Sequence, residues 1–325
     1  MKFLNELWKN ERYAHCTQEE LAKKTGIKLE IIRNIEMGRK KVSPEHPEFS
    51  LMCKTLNVDS SRYFAKDTKV ISFLSNKGGS TKTTSCANLA YSLVTKYNKK
   101  VLIIDTDLQQ NLTQHYGMDT LQDKNFYAAF INHESIEAHI RPTGYENIDI
   151  VTGHDMLAII EMDMMKMDFR EYRVKEILEE IKEKSVYDYI MIDCNPSLNS
   201  LNTSILFATD GLIVPLNPTA FGKAGMDLIV NFYSSITKRA DNLHLLGVLV
   251  NKYDQRKRVP RDVVQLVTEK FGESKVLFKT LIPEDVNVDK AQMLEEPIGV
   301  NFPKSRATVA FDELAEELIK RGERL

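Results

Sequence analysis

Two lysines, a glycine pair and three threonines are packed into residues 70–84, which read Val-Ile-Ser-Phe-Leu-Ser-Asn-Lys-Gly-Gly-Ser-Thr-Lys-Thr-Thr. Those types at that spacing suit a phosphate chain. A turn of small residues (Gly78, Gly79, Ser80, Thr81) ahead of a helix start aims backbone N–H groups at an anion, and the helix dipole favours negative charge there. Lys82 adds an ammonium that reaches phosphate oxygens. The Thr83 hydroxyl suits Mg²⁺, and Thr84 continues the helix start. Lys77 adds a second cation ahead of the glycines.

Three carboxylates follow at the ends of short apolar runs: Asp105 and Asp107 after 101–104, and Asp193 after 189–192. Apolar runs of this length, separated by helical stretches, read as buried parallel strands. An open parallel sheet holds its ligand at the carboxyl ends of its strands, where these aspartates stand. Ending a buried strand on Asp is otherwise costly.

The glycine turn departs from the G-x-x-x-x-G-K-[ST] pattern, with Asn76 and Thr81 at the glycine positions. Lys77-Gly78-Gly79-x-x-Lys82-Thr83 instead resembles the deviant Walker A box of ParA/MinD-type ATPases. Residues 105–113 resemble that family's D-x-D-P-Q-G-N segment, with Leu108 for Pro and Gln110 for Gly. Asp193-Cys-Asn-Pro resembles its Walker B segment, with Asn195 for the first Pro. Residues 245–251 and 281–283 resemble the strands ending at its adenine pocket. The likeness runs from about Lys69 to the last residue. It implies a doubly wound, mostly parallel α/β sheet of the P-loop NTPase kind, ATP and Mg²⁺ as cofactors, and slow hydrolysis that times a dimer switch. By the same resemblance Lys77 reaches across an ATP-bound homodimer, Lys82 serves the phosphates, and Asp107 orients water. Thr83, Asp105 and Asp193 serve the metal or its surroundings, while Asn251 and Pro283 serve the adenine.

The chain has 325 residues, 42% hydrophobic and 28% charged, ordinary for a soluble protein. Its four cysteines show no paired spacing, which argues against a disulfide framework, a zinc site, or the cluster of a nitrogenase-iron-protein-like enzyme. Met1–Asn10 carries charges, and no apolar run approaches the ~20 residues of a membrane span. The last 17 residues read as an amphipathic helix whose polar face (Asp312, Glu313, Glu316, Glu317) has the wrong sign for an anionic membrane. The expected location is the cytoplasm, on the nucleoid.

Net charge is −2, but residues 1–69 hold 14 Lys and Arg against 10 Asp and Glu, a net of +4. Within this basic head, Thr17 and Glu20 have capping-box spacing and Gly26 stops the first helix; a second helix runs 28–37, up to Gly38. The pair resembles a Cro/repressor-type helix-turn-helix, in a five-helix domain completed by 4–13, 49–56 and 60–64. That resemblance puts Gln18 and Arg39 on phosphates, and Lys28, Glu30, Arg33 and Asn34 at base edges. The expected domains are 1–66, a DNA-binding head, and 67–325, the ATPase.

Between 119 and 185, residues 126–131 and 172–184 read as helices and 148–151 as a strand, with Met156, Met162, Met164, Met165 and Met167 as core filler around a helix or, alternatively, an adaptable protein-contact surface. After Pro283, where chromosomal relatives often carry DNA-binding arginines, the run 284–289 is acidic. Arg256, Lys257 and Arg258 then become the candidates for non-specific DNA contact, against a merely solvated loop. The whole resembles a DNA-partition ATPase that represses its own operon and answers to a centromere-binding partner. The alternative is a transcriptional regulator that uses nucleotide only as a ligand.

Overall fold

The computed structural model describes residues 8, 12–37, 39–40, 46–58, 68–77, 79, 81–217, 223–240, 242–254 and 276–322. Gly38, Gly78, Ser80, the expected helix 60–64, most of the expected helix 4–13, and the basic triplet Arg256, Lys257 and Arg258 lie outside them. The chain divides into two compact units, Met1–Asp67 and Thr68–Leu325.

The first unit is helical: α1 (Gln18–Thr25), α2 (Leu29–Glu36) and α3 (Pro47–Leu56). The capping box forms as expected. Glu20 N–H donates to Thr17 Oγ1 at 3.2 Å, Thr17 N–H to Glu20 Oε2 at 2.8 Å, and Gly26 closes α1 at φ 73°. Trp8, Leu21, Ile32, Ile35, Phe49 and Met52 form its core, each contributing on the order of 1.5–3 kcal/mol by burial. An ion pair between Arg12 and Glu36 is enclosed beneath them, a feature no local pattern announces.

The second unit is a seven-stranded sheet. Its strands are β1 (Lys69–Phe73), β2 (Val101–Asp105), β3 (Arg141–Pro142), β4 (Ile148–Val151), β5 (Tyr189–Asp193), β6 (Gly211–Leu216) and β7 (His244–Val250), in the order β3-β4-β2-β5-β1-β6-β7. All pairs are parallel except β3–β4. The central strands are fully buried because helices cover both faces, which is why they read as unbroken apolar runs. The helices are α4 (Lys82–Tyr97), α5 (Asn111–His115), α6 (Phe126–Asn132), α7 (Ile160–Met164), α8 (Arg173–Lys184), α9 (Ser200–Ala208), α10 (Lys223–Thr237), α11 (Val286–Met293), α12 (Ile298–Asn301) and α13 (Arg306–Gly322).

Helix α13 buries Phe311, Leu314 and Leu318 with Leu89 and Leu93 of α4, so its apolar face belongs to the core. Among the described residues no helix is long and apolar enough to cross a membrane. The expected methionine filler holds for Met164 and for Met167, which packs half-buried against the core, and is corrected for Met156, Met162 and Met165. Only Met164 is buried, together with Ile160 four residues earlier, while Met162 and Met165 are 64% and 77% exposed and Met156 is also exposed. A five-residue helix turns one stripe to the core and must turn the rest outward.

Candidate nucleotide site

β1 delivers the chain, through buried Leu74 and Ser75, into the glycine turn. Gly79 has φ 72° and Thr81 φ 69°, both left-handed. A β-branched residue is strained there, by about 1–2 kcal/mol, where the usual pattern places glycine. The Thr81 carbonyl accepts from Ser85 N–H at 2.9 Å and Ser85 Oγ at 2.7 Å, which anchors the strained residue to α4. α4 starts at Lys82, which is 7% exposed, whereas Lys77 is exposed.

The β2–β5 register sets Asp105 beside Asp193. Thr83 Oγ1 donates to Asp193 Oδ2, while Asp193 Oδ1 is enclosed with no hydrogen-bond partner. Burial, then the neighbouring Asp105 charge, pushes the Asp193 carboxyl up to about 8. Burial also raises Asp105, to about 6, against three donors: Thr113 N–H at 2.9 Å, Thr113 Oγ1 at 2.8 Å and Asp107 N–H at 3.1 Å. These bonds make Asp105 the anchor of the loop that carries Asp107. Gly153 completes the packing: a Cβ there would stand 3.0 Å from the Asp107 carbonyl and 3.1 Å from Asp105 Cγ.

Thr83 and Asp193 together suit a divalent cation, since the partnerless oxygen and the raised pKa are what a nearby positive charge would correct. Among the described residues no three His, Cys, Asp or Glu side chains cluster as a metal site. A hydroxyl and one carboxylate match the sparse protein set that Mg²⁺ takes beside substrate phosphates. Cys86 and Cys194 are buried free thiols whose pKa burial raises, so neither is a reactive group.

A cleft of about 480 Å³ opens over this constellation. Gly79, Thr81, Lys82, Thr83, Thr84 and Asp107 line it, so the structure brings the cradle and the candidate water-orienting carboxylate together. Asn251 and Pro283 are not on its wall. Asn251 is turned inward, accepting from Ser85 Oγ at 3.4 Å and donating to the Leu249 carbonyl at 3.3 Å, and Pro283 bridges to Tyr253.

Other residues were not legible in sequence. Gln292 Nε2 donates to Thr84 Oγ1 at 2.9 Å across 208 residues, and His115 and Glu295 line the same cleft. Asn202 Nδ2 holds the loop after Asp193 through the Asn195 carbonyl and side chain, each at 3.0 Å. Glu161 caps α9, accepting from Ser200 and Leu201 N–H at 3.2 and 3.0 Å. Contacts this distant leave no spacing pattern.

In the first unit Lys28, Glu30, Arg33 and Arg39 are exposed and Asn34 is half-buried. Gln18 is engaged internally: its Nε2 donates to Glu36, and its Oε1 accepts from Arg33 Nε at 3.3 Å. Arg33 also pairs with Glu19 at 3.4 Å.

The family profile described as an AAA domain matches residues 68–245. The chain is 30% identical over 256 residues to the sporulation initiation inhibitor protein Soj of Bacillus subtilis, covering 78% of this chain and 99% of Soj. It is 28% identical over 257 residues to the chromosome partitioning protein ParA of Myxococcus xanthus, covering 78% and 88%. The solved structure of the septum site-determining protein MinD of Pyrococcus horikoshii, complexed with Mg-ADP, superposes with a TM-score of 0.63 at 27% identity, covering 78% and 97%. The paired lysines around the glycine turn, the aspartates at adjoining strand ends and these likenesses agree: the chain belongs to the ParA-type P-loop ATPases.

Proposed function

We propose that this chain is a DNA-partition ATPase whose nucleotide state switches a homodimer on and off DNA, and whose head binds the operator of its own operon. As a ParA-type enzyme it hydrolyses ATP to ADP and phosphate with Mg²⁺. The observation that carries the reading is the meeting of Lys82, Thr83 and Asp107 in one cleft, above an Asp193 oxygen enclosed without a partner.

Placement in the cleft supports the following roles. Lys82, nearly buried at the helix start, binds and neutralises the phosphates with the turn N–H groups. Thr83 and Asp193 hold the metal, which when bound offsets charge on the phosphate oxygens. Asp107, its Oδ1 oriented by Gln109 N–H at 3.1 Å, positions the attacking water. Asp105 keeps that loop in place. Lys77, exposed beside the glycine turn, is on this reading the residue that reaches the nucleotide of a second protomer. Asn251 and Pro283 serve the adenine side after rearrangement around substrate.

DNA enters this reading twice. Arg33, Lys28, Glu30 and Asn34 would read an operator, with Gln18 and Arg39 on its phosphates; Arg256, Lys257 and Arg258 would give the ATP dimer salt-sensitive grip on any duplex. A centromere-binding protein is the partner that stimulates turnover, and the complex works on the nucleoid. The deciding experiment measures turnover and random-duplex binding with ATP and ADP, with and without the protein encoded beside it. Equal DNA binding in both nucleotide states, or turnover deaf to every such partner, would favour a regulator that uses nucleotide as a ligand.

A further inference from the structure

His115 is unlike the other polar residues of the cleft. It ends α5, is 4% exposed, and still lies on the cleft wall. Its Nε2 is enclosed with no hydrogen-bond partner, although the ring packs beside Tyr116 with centroids 6.1 Å apart. The neighbouring polar groups are committed elsewhere: the Tyr116 hydroxyl donates to the Ala87 carbonyl at 2.9 Å, and Gln292 donates to Thr84. Leaving a buried polar atom unpaired costs on the order of 1–3 kcal/mol, whereas an apolar ring of the same shape would cost nothing. A protein that keeps imidazole on the wall of its ligand cleft under those terms has a partner for it in the bound state.

The chemistry of that partner is constrained. Burial holds the imidazole neutral, with its pKa lowered to about 4, so it offers one N–H and one bare nitrogen and no net charge. Such a ring adds little against phosphate charge, which Lys82 and the helix start already meet. It matches a group that is itself neutral and able both to donate and to accept. A hydroxyl or a water has that character.

We propose that His115 is a substrate-contacting residue of the ATP cleft: turned out of the enclosed position it holds in the ligand-free protein, its Nε2 completes a hydrogen bond to a hydroxyl-type group of the bound substrate, either a ribose hydroxyl or a water held at the phosphates. This rests on the nucleotide reading above. His115 lies two residues beyond Thr113, the last residue of the strand-end segment, and is not one of the cradle residues.

The test uses the full chain and calorimetric titration with Mg-ATP, Mg-2′-deoxyATP, Mg-3′-deoxyATP and Mg-triphosphate. His115→Phe keeps the ring volume without nitrogens, and His115→Gln restores an amide near the Nε2 position. His115→Phe should bind Mg-ATP about 3- to 10-fold more weakly, a neutral hydrogen bond's worth, with His115→Gln closer to wild type. A loss that persists with Mg-triphosphate assigns the partner as water at the phosphates. A loss absent with one deoxynucleotide assigns that ribose hydroxyl. Mg-ATP affinity of His115→Phe within twofold of wild type overturns the proposal. If His115→Phe does not fold, the ¹⁵N resonance of His115 Nε2 in the wild type, assigned with His115→Gln, decides: no shift on saturation with Mg-ATP overturns it. Lys82→Ala is the control for the underlying reading. Should it bind Mg-ATP as tightly as wild type, the nucleotide site itself is misassigned, whatever His115 does.

Discussion

Asp193 carries one oxygen satisfied by the Thr83 hydroxyl and one that is enclosed and unpaired, with Asp105 directly beside it in the strand register. Two carboxyls buried side by side resist ionising together, so in the nucleotide-free protein the strand tip is poised for a cation. The arrangement stores unfavourable electrostatics at the place where substrate and metal enter.

The first prediction follows from the sign of those shifts. Both carboxyls hold protons more tightly folded than unfolded, so their contribution to stability is full below about pH 4. It is lost as pH rises towards about 6 for Asp105 and about 8 for Asp193. Asp193→Asn should flatten the limb between pH 6 and 8, worth on the order of 1 kcal/mol per pH unit at most. Denaturant unfolding without metal or nucleotide measures it; an unchanged slope in the variant would place the titration elsewhere. The same variant should lose Mg²⁺-dependent nucleotide affinity.

The two lysines should separate by role. Lys82→Ala removes a nearly buried ammonium from the cradle and should abolish ATP binding. Lys77→Ala removes an exposed one, sparing most binding but losing ATP-dependent dimerisation and turnover. Nucleotide titration paired with sedimentation compares them, and identical behaviour in both assays would discard the shared-dimer role of Lys77.

Asp107→Ala should bind ATP and dimerise yet stall, with turnover down roughly 10²- to 10⁴-fold as expected for a positioned carboxylate. Because Asp105 holds the same loop through Thr113, Thr113→Ala should lower turnover as well, by misplacing Asp107. Turnover of Asp107→Ala within twofold of wild type would transfer the role to another group.

In the head, Arg33 is tied to Gln18 and Glu19 before any DNA arrives. If the head binds an operator as proposed, those contacts would be exchanged for base contacts. Arg33→Ala should relax discrimination by about 1–3 kcal/mol at one base position, while deletion of residues 1–66 should remove operator binding and leave ATPase activity. Footprints of wild type and Arg33→Ala that coincide on matched and mismatched operators would exclude the residue as a reader.

The basic triplet is tested by salt. Replacing Arg256, Lys257 and Arg258 by Ala should weaken ATP-dependent binding to random duplex and lower the log–log salt slope by about 2–3. An unaltered slope would exclude these three residues from DNA contact.

What the amino-acid order determined by itself was local. The glycine turn and helix start at Gly79–Lys82, the apolar strands ending in Asp105 and Asp193, and the Thr17–Glu20 capping box are each set within a few residues, where steric and hydrogen-bond preferences act directly. Tertiary structure decided the rest, because desolvation and register depend on partners far along the chain. Only the β2–β5 pairing makes Asp105 and Asp193 neighbours, and burial at the sheet's centre raises both carboxyls. Only packing turned Met162 and Met165 outward, turned Asn251 against Ser85, brought Gln292 to Thr84, and left His115 buried at the cleft wall with its Nε2 unpaired.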